Sequence, residues 1–126
     1  MLDICTAAML GMKDRVGTFL TADPGLARAT GAHGIPVLFY PAITGEQEVA
    51  ELLVRSGADV NAGEGGNTPL HGAAGFGQST TMVAWLLDHG ANVNARDYRG
   101  KTPRALAVAN HHEAVADLLR RRGATE

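Results

Sequence analysis

The sequence predicts an all-α fold, a linear array of helix pairs, and three periodic features carry that reading. Gly57-Ala58-Asp59-Val60-Asn61-Ala62 recurs as Gly90-Ala91-Asn92-Val93-Asn94-Ala95, five identities in six at an offset of 33, and Gly123-Ala124 opens a further copy another 33 residues on. Gly66-Asn67-Thr68-Pro69 recurs as Gly100-Lys101-Thr102-Pro103 at an offset of 34. Apolar triplets at i, i+3, i+4 return at the same spacing: Val16/Phe19/Leu20, Val49/Leu52/Leu53, Met82/Trp85/Leu86 and Val115/Leu118/Leu119. A fixed period of this size decides the architecture before local propensity does. The 126 residues are therefore expected to divide into about four units, 1–30, 31–63, 64–96 and 97–126, within one domain and without a linker.

Within a unit the elements follow from local chemistry in chain order. Thr68 and Thr102, each followed by proline, mark a helix start: the hydroxyl can accept from an orphan backbone N–H, and proline at the first helical position forfeits no intrahelical bond. That helix is short. Its Ala73-Ala74 pair is small enough for a neighbouring helix to approach closely, and Gly77 is expected to end it. The second helix carries the apolar triplet, a stripe on one face that must be buried. Gly57 and Gly90 close it by supplying a left-handed residue after the last turn. The Asp/Asn-Val-Asn-Ala tail and the glycine-containing stretch beyond it are turn chemistry leading to the next Thr-Pro.

Thr68-Pro69-Leu70-His71, Ala73-Ala74 and the Gly57–Ala62 segment together resemble the ankyrin repeat, and the resemblance covers essentially the whole chain. It implies a solenoid of stacked antiparallel helix pairs with β-hairpin-like fingers projecting at about a right angle, each unit burying its apolar face on the next. In that family the histidine of Thr-Pro-Leu-His ties adjacent fingers together through backbone hydrogen bonds, which gives His71 a structural role.

Departures from the pattern carry their own expectations. In the second unit the motif slot reads Pro36-Val37-Leu38-Phe39, without the threonine cap, and Pro41 stands at the first alanine position. That helix is expected to start late or to distort near Tyr40. An extra residue around Gln78 to Thr81 is expected to loosen the turn inside the third pair. The first unit lacks a finger motif, with Ala22-Asp23-Pro24 where later units have glycine, and Arg104 and Ala105 replace Leu and His in the fourth. Both ends read as caps with polar outer faces.

Composition bounds the function. With 45% hydrophobic and 19% charged residues the chain is no candidate for disorder, and a net charge of −2 is too balanced to predict nucleic-acid or membrane-surface binding. The single cysteine, Cys5, cannot form an internal disulfide and reads as a buried apolar side chain, which suits a cytoplasmic location. No secretory signal is legible near Asp3, and no window approaches the ~20 apolar residues of a membrane span.

Motifs that could carry chemistry dissolve into the repeat. Ala95 to Thr102 fits a relaxed phosphate-loop pattern, but Pro103 removes a backbone donor and a turn precedes it where a strand is required. Gly63-Glu64-Gly65-Gly66 has no lysine and reads as a pliable finger. His111 and His112 are adjacent and point about 100° apart on a helix, so they cannot chelate one ion together, and no zinc-ligand spacing occurs. His111 falls where the family has its inter-helix glycine. No nucleophile elbow, metalloprotease helix or carboxylate couple is present. No catalytic, metal or cofactor site is expected.

Charge is uneven: residues 1–95 sum to −5 and residues 96–126 to +3. Arg120-Arg121-Arg122 contributes most, read as cations favourably placed at a helix C-terminus, with an acidic protein partner as the alternative. The family's contact positions, carried onto this register, fall on His33 and Ile35 of the first finger, Asn67 of the second, Arg96, Tyr98, Arg99 and Lys101 of the third, and Ile43, Phe76 and Asn110 of the first helices. Ile35, Ile43, Phe76 and Tyr98 are expected to form an exposed apolar patch rimmed by Arg96, Arg99 and Lys101, unless the two isoleucines tuck under the irregular second unit. Such patches mark interaction sites. Trp85 belongs to the buried triplet. The expected function is a non-catalytic protein–protein interaction module, a cytoplasmic monomer without nucleic-acid or membrane partners; the alternative is a regulatory or immunity-type inhibitor that blocks one enzyme or toxin.

Overall fold

A computed structural model describes residues 3–31, 34–77 and 79–125. Among them eight helices follow in pairs: α1 (Ile4–Met9) with α2 (Lys13–Ala22), α3 (Phe39–Thr44) with α4 (Gln47–Arg55), α5 (Pro69–Gly75) with α6 (Thr80–Asp88), and α7 (Pro103–Ala109) with α8 (Glu113–Arg121). The first helices stack in the order α1, α3, α5, α7, while α2 packs on α4 and α6 on α8. Helices of six or seven residues are unstable alone. They persist here through burial: every residue of α5 is buried.

The triplets lie on the second helices as the period requires. Val16, Val49, Met82 and Val115 are buried, as are Leu20, Leu53, Leu86 and Leu119. The middle members Phe19, Leu52 and Leu118 are half-buried, and Trp85, the largest of them, is buried against the core with its ring stacked on His89 at 4.1 Å. One apolar cluster runs from Ile4 to Leu119.

Three helix ends share one device. Gly57, Gly90 and Gly123 have φ of 111°, 96° and 105°, and the next residue's N–H reaches back to Leu53, Leu86 and Leu119 at 2.9, 3.0 and 2.9 Å. These are Schellman closures, open to glycine because a side chain would make the left-handed backbone costly. α2 ends otherwise. Its last turn stops at an extended Asp23, whose carboxylate accepts from Gly25 N–H at 3.0 Å and starts a 3₁₀ turn, Pro24–Arg28.

Thr68 and Thr102 cap α5 and α7 by accepting from the N–H groups of His71 and Ala105, both at 3.2 Å. α3, with no side-chain cap, begins only at Phe39, after a tight run in which Phe39 N–H bonds Pro36 C=O at 3.0 Å. Pro41 therefore sits in the first turn, where its missing N–H leaves no bond unmade. Between α5 and α6 the connection is longer than in the second pair; Gln78 lies outside the described residues, and Ser79 caps α6 by accepting from Met82 N–H at 3.1 Å.

Gly77 stands two residues past Gly75, the last residue of α5, as Gly57 and Gly90 stand past Arg55 and Asp88; its N–H reaches back to Gly72 C=O at 3.1 Å, and an added Cβ there would lie 2.8 Å from the Ile43 carbonyl oxygen. One detail corrects the sequence reading. The C-terminal outer face is not uniformly polar. Val108 is 52% exposed, and Arg104 is half-buried with an Nε that has no hydrogen-bond partner among the described residues.

Candidate functional site

The third finger is fixed by one carboxylate. Asp97, buried, accepts from Arg99 N–H at 2.9 Å and Lys101 N–H at 2.8 Å, while its own N–H bonds Lys101 C=O at 2.9 Å. Arg96 donates to Gly100 C=O at 2.9 Å, and Gly65 N–H reaches Arg96 C=O at 3.1 Å, tying the second finger to the third. A closed turn of this kind projects Tyr98, Arg99 and Lys101 outward from a fixed base.

His71 anchors that finger to α5. Its Nδ1 accepts from the Thr68 hydroxyl at 2.7 Å, so Nε2 carries the proton and donates to Lys101 C=O at 2.8 Å. Burial holds its pKa below the ordinary histidine value, against the pull of the Lys101 carbonyl. The imidazole is thus a neutral structural strut.

Between this finger and the first helices of the last two pairs lies a groove of about 390 Å³. Asn67, Phe76, Tyr98, Arg99, Lys101 and Asn110 all line it, so six of the ten sequence-predicted positions converge on one surface. Leu106, Ala105 and Ala109 of α7 form its floor. Phe76 and Tyr98 are 66% and 63% exposed. The Arg99 guanidinium lies 5.3 Å from the Tyr98 ring centroid, within cation–π range. Asn110 donates to Gly75 C=O at 2.8 Å, bracing α7 against α5.

The remaining positions part company with the groove. Ile35 and Ile43 are half-buried and line no part of it. Ile43 packs toward Gly72, where an added Cβ would lie 3.1 Å from its Cγ1. The expected four-residue apolar patch therefore reduces to Phe76 and Tyr98, because α3 sits close against α5 and draws its isoleucine inward. Arg96 is exposed on the finger outside the groove lining. His33 lies outside the described residues.

The C-terminal arginines are not open cations. Arg120 and Arg121 pair with Asp117 at 2.7 and 3.1 Å, and Arg122 with Asp88 at 2.7 Å. Asp117 carries a lowered pKa, chiefly from its hydrogen bond to Arg120.

A ladder between units went unread in the sequence. Asn61 Nδ2 donates to Gly90 C=O at 3.0 Å and Asn94 Nδ2 to Gly123 C=O at 3.4 Å, while Arg28 Nε takes the same step to Gly57 C=O at 3.2 Å. The 33-residue spacing of Arg28, Asn61 and Asn94 was the signal, hidden at its first rung by a change of residue type. His112 adds another tie, with Nδ1 2.9 Å from the Ala74 carbonyl.

A family model described as ankyrin repeats (3 copies) matches residues 4–97 and 62–125. Mouse rabankyrin-5 is 44% identical over 86 residues, covering 58% of this chain and 7% of that protein. I-Kappa-B like protein I1 of Microplitis demolitor bracovirus is 35% identical over 96 residues, covering 74% and 57%. The chain thus spans less than two thirds of either relative. Cyclin-dependent kinase 4 inhibitor B of Bos taurus is 35% identical over 122 residues, covering 94% of this chain and 89% of that protein. Among the described residues, no helix is long and apolar enough to cross a membrane.

Proposed function

The chain belongs to the ankyrin-repeat family, and from that membership we propose that it is a non-catalytic module that binds another protein through the groove beside its third finger. The observation that carries this reading is the exposure of Phe76 and Tyr98 on one groove whose finger and helices are braced from behind. Large aromatic surface left in water on a rigid base is the usual origin of binding energy. The same reading has the module act as a cytoplasmic monomer, without cofactor, nucleic acid or membrane.

A second reading, inhibition of an enzyme partner, is favoured by one observation: the relative matched nearly end to end is by its name an inhibitor of a cyclin-dependent kinase. Affinity capture from the source cell, followed by an activity assay of the captured protein with and without the chain, separates the two readings. In either case Phe76→Ala and Tyr98→Ala each weaken binding by about 1–3 kcal/mol while the melting profile stays nearly unchanged. Unchanged affinity in both variants would remove the groove from the account.

A further inference from the structure

We propose that the segment this groove accepts is an acidic peptide stretch of the partner, with aspartate or glutamate side chains flanking one bulky apolar residue; this rests on the groove being the binding surface. Positive charge in this molecule gathers in residues 96–126, but its two clusters differ. At the C-terminus the three arginines all lie within ion-pair distance of a carboxylate, Arg120 and Arg121 sharing Asp117 and Arg122 facing Asp88. At the groove the situation is reversed. Asp97 is the one carboxylate among the lining residues, it is buried, and its Oδ1 accepts from two backbone N–H groups. Arg99 and Lys101, both exposed, have no carboxylate within ion-pair distance among the described residues.

The apolar half of the site sets the rest of the ligand. The rings of Phe76 and Tyr98 and the side chain of Leu106 border about 390 Å³, near the lower end of the roughly 300–1,000 Å³ of ligand pockets. One large side chain fits such a space. Because the Arg99 guanidinium lies over the Tyr98 ring, charge and ring present one continuous surface. A carboxylate next to an apolar side chain is complementary to it, and like-charged segments are repelled.

The test is selection of short random peptides displayed on phage against the immobilised full chain, with Arg99→Glu/Lys101→Glu and Phe76→Ala/Tyr98→Ala double variants as parallel baits. Enriched peptides are expected to carry Asp or Glu beside a Leu, Phe or Trp, to lose affinity as salt is raised, and to bind the charge-reversed bait about tenfold more weakly or worse. Peptides that are neutral or basic yet lose binding to the Phe76→Ala/Tyr98→Ala bait overturn the charge assignment and leave the groove reading standing. Peptides insensitive to both variants overturn both. Failure to enrich any peptide, on bait whose Trp85 emission shows it folded, also overturns the proposal.

Discussion

The second and third units reach the same helix pair by different means. α5 starts at a threonine whose oxygen accepts from the His71 N–H, and the histidine then holds the next finger. α3, packed against α5, has no side-chain cap, starts late and carries Pro41 in its first turn. Even so, Val37 and Leu38 are as deeply buried as Leu70. In a short array, burial against the neighbouring unit decides whether a helix forms. Local motif chemistry decides something narrower, namely how firmly a finger is held. Among the described residues only the third unit has the full strut, and the groove lies beside the finger it holds.

The largest test of that difference is a matched pair of truncations. Leu38→Ala and Leu70→Ala are each expected to cost about 2–5 kcal/mol, because both side chains are fully buried. Denaturant melts followed by Trp85 emission compare them directly. A cost confined to Leu70→Ala would show that the second unit is loosely held after all.

The caps should separate the units where the core does not. Thr68→Ala removes both the cap and the Nδ1 partner of His71, and is expected to cost about 1–2 kcal/mol. The converse change, Pro36→Thr, is expected to shift stability by less than about 0.5 kcal/mol, since a new cap is offset by the loss of proline's restraint on the unfolded chain. A large gain from Pro36→Thr would mean that the second helix is limited by its missing cap.

Acid should act on the strut. His71 has a folded pKa below its unfolded value, so in the acidic range the unfolded chain binds the proton that the native imidazole resists. Stability contributed by His71 is therefore complete above about pH 6.5 and declines as pH falls below it. His71→Gln should flatten that part of the pH profile in urea melts. An unaltered profile would assign the acid sensitivity to other groups.

A further small effect is expected at the last pair. His111 holds φ of 61° in the inter-helix slot where Gly11 and Gly45 stand at 72° and 77°. His111→Gly should relieve about 1–2 kcal/mol of left-handed cost and give back about 0.5–1 kcal/mol in chain entropy, a net gain of at most about 1.5 kcal/mol in the same melts. A loss would point to a contact of the imidazole that matters more than its backbone.

Periodicity made the helices legible because each triplet has to face the core, and Gly57, Gly90 and Gly123 announce their closures in the residue itself. The late start of α3 was legible too, from two prolines. What stayed hidden depends on distances that spacing cannot express. Ile43 looked exposed by register but turns inward because Gly72 lets α3 and α5 approach closely. Gly77 closes α5 as its position suggested, and its second role, a close approach to the Ile43 carbonyl, needed coordinates. Arg28 stands in for asparagine in the inter-unit ladder through a side chain of different shape, so a search for identity passes over it. The groove was half legible: the positions came from the repeat register, while their convergence around Leu106 needed coordinates.

Amide hydrogen exchange of the chain, alone and bound to its captured partner, puts the site itself on trial. Slowed exchange is expected to concentrate at Asn67, Phe76, Tyr98 to Lys101 and Asn110, with the outer surfaces of α4 and α8 unchanged. Slowed exchange along those outer helices, with the third finger unaffected, would contradict this assignment.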